Sequence, residues 1–96
     1  MKIVFEWHEV KNQSNIKKHN VNFYDAQLAF LDLHRVVLED LDHSTITEKR
    51  YFCLGKVNNH VLTVRFTLKN NHTIRIFGAG YWRKGKKIYE QQNGKL

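Results

Sequence analysis

From residue 61 to residue 77 the chain alternates so regularly that it commits the molecule to a sheet with one buried face. Leu62, Val64, Phe66 and Leu68 interleave with Val61, Thr63, Arg65 and Thr67; past a polar turn, Ile74 and Ile76 interleave with Thr73, Arg75 and Phe77. A period of two places one set on the core side of each strand and the other set on the opposite side. Lys69, Asn70 and Asn71 connect the two strands. With Asn71 in the left-handed region, a three-residue loop pairs Leu68 with His72. Val64 then faces Ile76, Phe66 faces Ile74 and Arg65 faces Arg75. A two-residue loop would pair Phe66 with Arg75 and mix the faces, so the first register is the expected one. Two arginines directly opposite repel, and an anion between them converts that cost into a binding site.

The remaining elements follow from local signals. Residues 51–57 form a strand hairpinned to 61–68 through Asn58-Asn59, because asparagine tolerates the positive φ of a tight turn. Cys53 falls on the face of Val64 and reads as a small buried hydrophobe. Residues 35–38 are a short β-branched strand, and 39–49, acidic and then rich in Ser and Thr, are a loop. Residues 2–7 alternate Ile3, Phe5 and Trp7 with polar positions, a first strand. Residues 9–19 lack helix breakers but offer only Val10 and Ile16 as an apolar stripe. Asn22 suits an N-cap, with Asp25 at the positive end of a second helix whose inner face is Phe23, Ala26, Phe30 and Leu33. Residues 81–92 read as a C-terminal helix despite Gly85. There is no proline, repeat or Gly/Ser linker to mark a boundary. The expectation is one α+β domain over 1–96: an N-terminal strand, two helices, a mainly antiparallel sheet and a C-terminal helix.

The charge is uneven. Residues 1–24 carry four bases and two acids, 25–48 one base and six acids, and 49–96 eleven bases and one acid. A basic half with Tyr51, Phe52, Tyr81, Trp82 and Tyr89 among its cations suits a polyanion whose bases stack, which is nucleic acid. The acidic stretch reads as a solvated surface. No run approaches the roughly 20 apolar residues of a membrane helix, and no helix pairs a basic face with a large apolar one. The start, MKIVFEWHEV, lacks the pattern of a secretory signal. A single cysteine fits a reducing compartment, so the expected location is the cytoplasm, with no membrane partner.

RNA cleavage needs few parts: a group to take the 2′-OH proton, cations to hold the phosphate and a donor for the departing 5′-oxygen. The 2′-OH is itself the nucleophile, so no metal is required. Arginine suits the phosphate through its planar fork of donors, and Arg50, Arg65, Arg75 and Arg83 are available, with His19, Lys18, Lys84, Tyr81 and Tyr89 as companions. The histidines at 8, 19, 34, 43, 60 and 72 make no H-x₃-H or H-E-x-x-H pair, so neither a metal nor another cofactor is expected. Gly78-Ala79-Gly80 is too short to be a phosphate loop.

Several motifs recur together in order. The segment F-E-W-x₃-K-N-x-x-N-x-x-K-H-N-V-x-F carries Phe5, Trp7, Lys11, Asn12, Asn15, Lys18, His19, Val21 and Phe23. Ala26, Phe30 and Asp32 follow, then E-x-R-x₄-G with Glu48, Arg50 and Gly55, then V-L-T-V-R-F-T and T-I-R-I-F-G-A. Over nearly its whole length the chain resembles the BrnT toxin family, the toxin half of type II toxin–antitoxin pairs. The resemblance implies a compact fold similar to RelE-type ribonuclease toxins and RNA cleavage that inhibits translation. It also implies a tight complex with a DNA-binding antitoxin of the BrnA kind, through which alone operator DNA is reached. On this reading Arg65 and Arg75 grip the scissile phosphate with help from Arg50, Lys18 and His19 move protons, and Lys11, Arg83, Lys84, Tyr81 and Trp82 bind RNA. Family members typically read Ser-Ala-Arg where this chain has Gly78-Ala79-Gly80. That opens a second reading, a homologue that keeps antitoxin binding and operon control without cleavage. Asn20 stands where glycine is usual, and asparagine can adopt the left-handed conformation.

Overall fold

The computed structural model describes residues 2–94. Asn58 and Asn59 both take positive φ (53° and 68°) and close the expected tight hairpin between β3 (Arg50–Val57) and β4 (His60–Lys69). With β1 (Val4–Glu6), β2 (Val36–Glu39) and β5 (Thr73–Gly80) they form one five-stranded sheet in the order β1-β5-β4-β3-β2. Among the described residues only the β1–β5 pairing is parallel. The helices are α1 (Glu9–His19), α2 (Phe23–Ala26), which runs on as a 3₁₀ helix Gln27–Leu31, and α3 (Arg83–Asn93). Among the described residues no helix is long and apolar enough to cross a membrane. The α+β architecture read from the sequence is thus the one observed.

The register of the second hairpin is not the expected one. Its loop is Asn70-Asn71-His72, closed by Lys69 opposite Thr73, and the left-handed residue is Asn70 (φ 58°) rather than Asn71. Leu68 faces Ile74, Thr67 faces Arg75 and Phe66 faces Ile76. This slip moves each partner by two positions, which preserves the faces, so alternation alone could not distinguish the two registers. A β-bulge then intervenes. Phe66 faces Ile76 but Arg65 faces Gly78, leaving Phe77 as the extra residue on β5. The predicted Arg65–Arg75 cross-strand pair does not form.

Both faces of the sheet are covered, one more fully than the other. On the first, Phe23, Ala26 and Ala29 pack against Cys53, Val64 and Ile76, all buried. Leu33 does not join them: the helix tightens to 3₁₀ after Ala26 and ends at Leu31, the 3.6-residue period is lost, and Leu33 is 90% exposed. On the second face, Tyr89 of α3 packs on Leu54 and Val61. Gly85, which argued against a helix, is where α3 meets the sheet; a Cβ there would lie 2.0 Å from Thr63 Oγ1. The Tyr89 hydroxyl donates to Asp32 Oδ2 (2.6 Å), which also accepts from Lys56 N (2.8 Å), while His34 N donates to Oδ1 (2.8 Å). Burial raises the Asp32 pKa, but these hydrogen bonds outweigh it and leave the carboxyl below its ordinary value.

The weak apolar stripe of α1 has a physical explanation. Its buried residues are Asn12 and Asn15. Asn15 donates to the carbonyls of Val21 (2.8 Å) and Ala79 (2.9 Å) and accepts from Ala79 N (3.1 Å). Its side-chain amide thereby meets both polar groups of Ala79, beyond the stretch of β5 that β1 covers. Asn12 Oδ1 accepts from Phe23 N (2.8 Å). Glu9 in the first turn and Lys17, Lys18 and His19 in the last suit the helix dipole. The helix closes at Asn20 (φ 55°), whose N–H donates to Ile16 O (2.8 Å). Asn22 caps α2 by accepting from Asp25 N (2.8 Å).

Candidate cationic active site

The half of the second face that α3 leaves open is basic. Thr67 on β4 has Arg50 of β3 opposite it on one side and Arg75 of β5 on the other, with Arg65 two residues along β4. Three arginines from three adjacent strands therefore share one face, though none faces another directly. Phe77, on the same face by alternation and left unpaired by the bulge, lies among them. The Arg50 guanidinium is 4.6 Å from its ring centroid, that of Arg65 5.2 Å, and the Lys11 ammonium of α1 5.9 Å. The Arg65 stem runs beside Gly78, where a Cβ would meet Arg65 Cδ at 3.4 Å, an ordinary contact.

Acidic partners are few. Glu48 Oε1 accepts from Arg50 Nε at 2.9 Å. Arg75 Nε lies 3.7 Å from Glu6 Oε2, which Lys69 also approaches at 3.1 Å. Arg75 Nη2 donates to His8 Nε2. Among the described residues no carboxylate pairs with Arg65, Lys11 or Lys18.

Two concavities flank Phe77. One, of about 220 Å³, is lined by His8, Lys11, Glu48, Arg50, Arg75 and Phe77. The other, of about 300 Å³, is lined by Lys11, Lys18, His19, Arg65, Phe77 and Trp82, with Gly78 between the two rings in sequence. The Trp82 indole lies over Gly80, where a Cβ would be 2.6 Å from Cε2, and the His19 ring meets it edge-on at 5.1 Å.

The structure thus brings together Lys11, Lys18, His19, Arg50, Arg65, Arg75 and Trp82. Tyr81 and Arg83 are on the other side of Trp82, in a concavity of about 640 Å³ with His60 and Lys86, and Lys84 borders an apolar cleft against Phe52, Leu54 and Ile88. Tyr89 is packed under α3; burial first, then the hydrogen bond to Asp32 and that group's charge, push its hydroxyl up to about 12. Burial likewise holds the Cys53 thiol up at about 12, unsuited to nucleophilic work. Among the described residues no three His, Cys, Asp or Glu side chains cluster as a metal site would require. Two members of the site escaped sequence reading. The outward position of Phe77 was legible in the alternation, but the ring's role was not. His8, between a strand and a helix, carries no local signal at all.

Residues 7–85 match the family described as "Ribonuclease toxin, BrnT, of type II toxin-antitoxin system". Among solved structures, the 1.1 Å crystal structure of the Brucella abortus ribonuclease toxin, BrnT, is similar, with 25% sequence identity and a TM-score of 0.62 over 85% of this chain and 96% of that one. No curated protein matches the chain significantly.

Proposed function

The chain belongs to the BrnT family of ribonuclease toxins of type II toxin–antitoxin systems, and from that premise we propose that it is a single-domain, metal-independent endoribonuclease that stops translation until an antitoxin covers its basic face. The observation that carries this reading is the convergence of Arg50, Arg65 and Lys11 on Phe77, beside Lys18, His19 and Arg75. Guanidinium forks on a solvent-open surface, with Arg65, Lys11 and Lys18 free of carboxylate partners among the described residues, suit a phosphodiester whose negative charge grows during attack.

In the proposed reaction a base removes the 2′-OH proton and the 2′-oxygen forms a bond to phosphorus. The bond from phosphorus to the 5′-oxygen breaks, a protonated group supplies the proton that oxygen takes up, and a 2′,3′-cyclic phosphate remains. His19 and Lys18 are the assigned proton carriers. His8 joins them as a candidate because its Nε2 is held by Arg75. Trp82 stacks a neighbouring base, and Tyr81, Arg83 and Lys84 extend the contact along the strand. The antitoxin is read as a DNA-binding protein of the BrnA kind that carries the pair to its operator, and the site of action as the cytoplasm, where the RNA is. The likeness to RelE-type ribonuclease toxins belongs to the same reading, supported by helices packed on a mainly antiparallel sheet.

The test is cleavage of a short single-stranded RNA, with and without chelator, by wild type and Arg65→Ala. Wild type should release 2′,3′-cyclic phosphate ends with or without chelator, and a 2′-deoxy substrate should survive. Arg65→Ala should be about a hundredfold slower, comparable to removing one preorganised donor, at unchanged thermal midpoint. A second reading, an antitoxin-binding module without cleavage, is favoured by the indole filling the space over Gly80, which leaves no cation at that position. Wild type that binds its antitoxin and cuts no RNA would establish it.

A further inference from the structure

We propose that Phe77 is the positioning residue of this site: a neutral ring that gathers Arg50, Arg65 and Lys11 and leaves their charge available to RNA. The assignment deepens the RNA-cleaving reading of the same surface and rests on it.

Three cations from three separate elements, α1, β3 and β4, approach one ring supplied by a fourth, β5. Like charges so close repel, and their side chains would splay into water without something to hold them. Proteins usually meet this need with carboxylates. Here the described residues supply one, Glu48, and it binds only Arg50. A carboxylate also cancels charge, so an arriving phosphate must displace it. An aromatic face attracts cations through its quadrupole but carries no net charge, so the field over the site stays positive. At solvent-open sites each such contact corresponds to roughly a two- to fivefold preference.

The alternation of β5 keeps Ile76 in the core and Phe77 on the open face, and the bulge leaves Phe77 without a partner on β4. Gly78, next in sequence, faces Arg65, whose stem runs beside it toward the ring. Burial does not require phenylalanine here, because the position is only half-buried.

The probe is a labelled single-stranded RNA carrying 2′-O-methyl at every ribose, which can be bound but not cut. Phe77→Leu should bind it about tenfold more weakly at low salt, the combined loss of contacts of this size. Phe77→Tyr should stay within about twofold of wild type. Phenylalanine fluorinated at one, two or three ring positions, incorporated at residue 77, keeps the shape while draining the quadrupole, so affinity should fall stepwise with each fluorine. Binding by Phe77→Leu equal to wild type overturns the proposal. So does a loss in Phe77→Leu with no gradation along the fluorinated series, the mark of packing alone. Wild type that shows this Phe77 dependence on the methylated strand yet cuts no natural RNA removes the ribonuclease reading and supports the positioning role.

Discussion

Gly55 lacks a side chain because the 3₁₀ helix leaves no space for one. A Cβ built there would stand 2.1 Å from the Ala29 carbonyl oxygen and 2.8 Å from its carbon. Both are backbone atoms and cannot swing aside, so Gly55→Ala must push the 3₁₀ helix off β3. The expected cost is about 3 kcal/mol, at the upper end of overpacking penalties, read as a lowered urea midpoint. A Gly94→Ala control, where nothing lies within 4 Å but φ is positive, should cost about 1 kcal/mol. The motif around Glu48 and Arg50 therefore combines two requirements: Gly55 sets the distance between helix and sheet, and Arg50 on the same strand serves the open face.

At the scale of elements, α1 is attached by amides where most helices use an apolar stripe. Asn15 satisfies Val21 O and both polar groups of Ala79, so replacing it leaves three buried backbone groups short of partners. Each orphaned group costs about 1–3 kcal/mol. Asn15→Leu should therefore destabilise the protein by about 3 kcal/mol or more even though leucine is the better helix former. Hydrogen exchange should show where: the amides of α1 and of residues 78–80 should lose protection, while those of β3 and β4 away from β5 keep it. Equal loss of protection across the whole sheet would contradict this. Because α1 carries Lys11, Lys18 and His19, the same substitution should also blunt RNA binding through a loosened helix.

For the molecule as a whole, two buried acids govern the alkaline limit. Cys53 and Tyr89 are raised from ordinary values of 9.0 and 10.0 to about 12. Burial is the first cause in both; Asp32 adds to it, by hydrogen bond and charge at Tyr89 and by charge at Cys53, where Arg35 opposes it. The unfolded chain gives up these protons near pH 9 and 10, while the folded chain holds them to about 12. Folding is thus favoured fully below pH 9 and progressively less up to pH 12. Each proton contributes a slope of about 1.4 kcal/mol per pH unit. Urea midpoints measured from pH 8 to pH 11 should fall in wild type and fall less steeply in Cys53→Ala and in Tyr89→Phe. Parallel slopes in all three proteins would show that other groups control the limit.

Much of this molecule was determined by near-neighbour chemistry. Alternation in residues 61–77, the Asn58-Asn59 turn, the Asn22 cap and the left-handed Asn20 each act over a few residues, and each is visible as a pattern of residue types. What tertiary structure alone decided has the opposite character. A two-residue slip in register leaves every side chain on the same face, so no pattern can report it. The bulge at Phe77, the contact of His8 with Arg75 and the exposure of Leu33 depend on partners far away in the chain or on a local switch of helix type. The sequence concentrates its bases in the C-terminal half, but only the folded sheet, with β4 between β3 and β5, brought scattered cations together around a single ring.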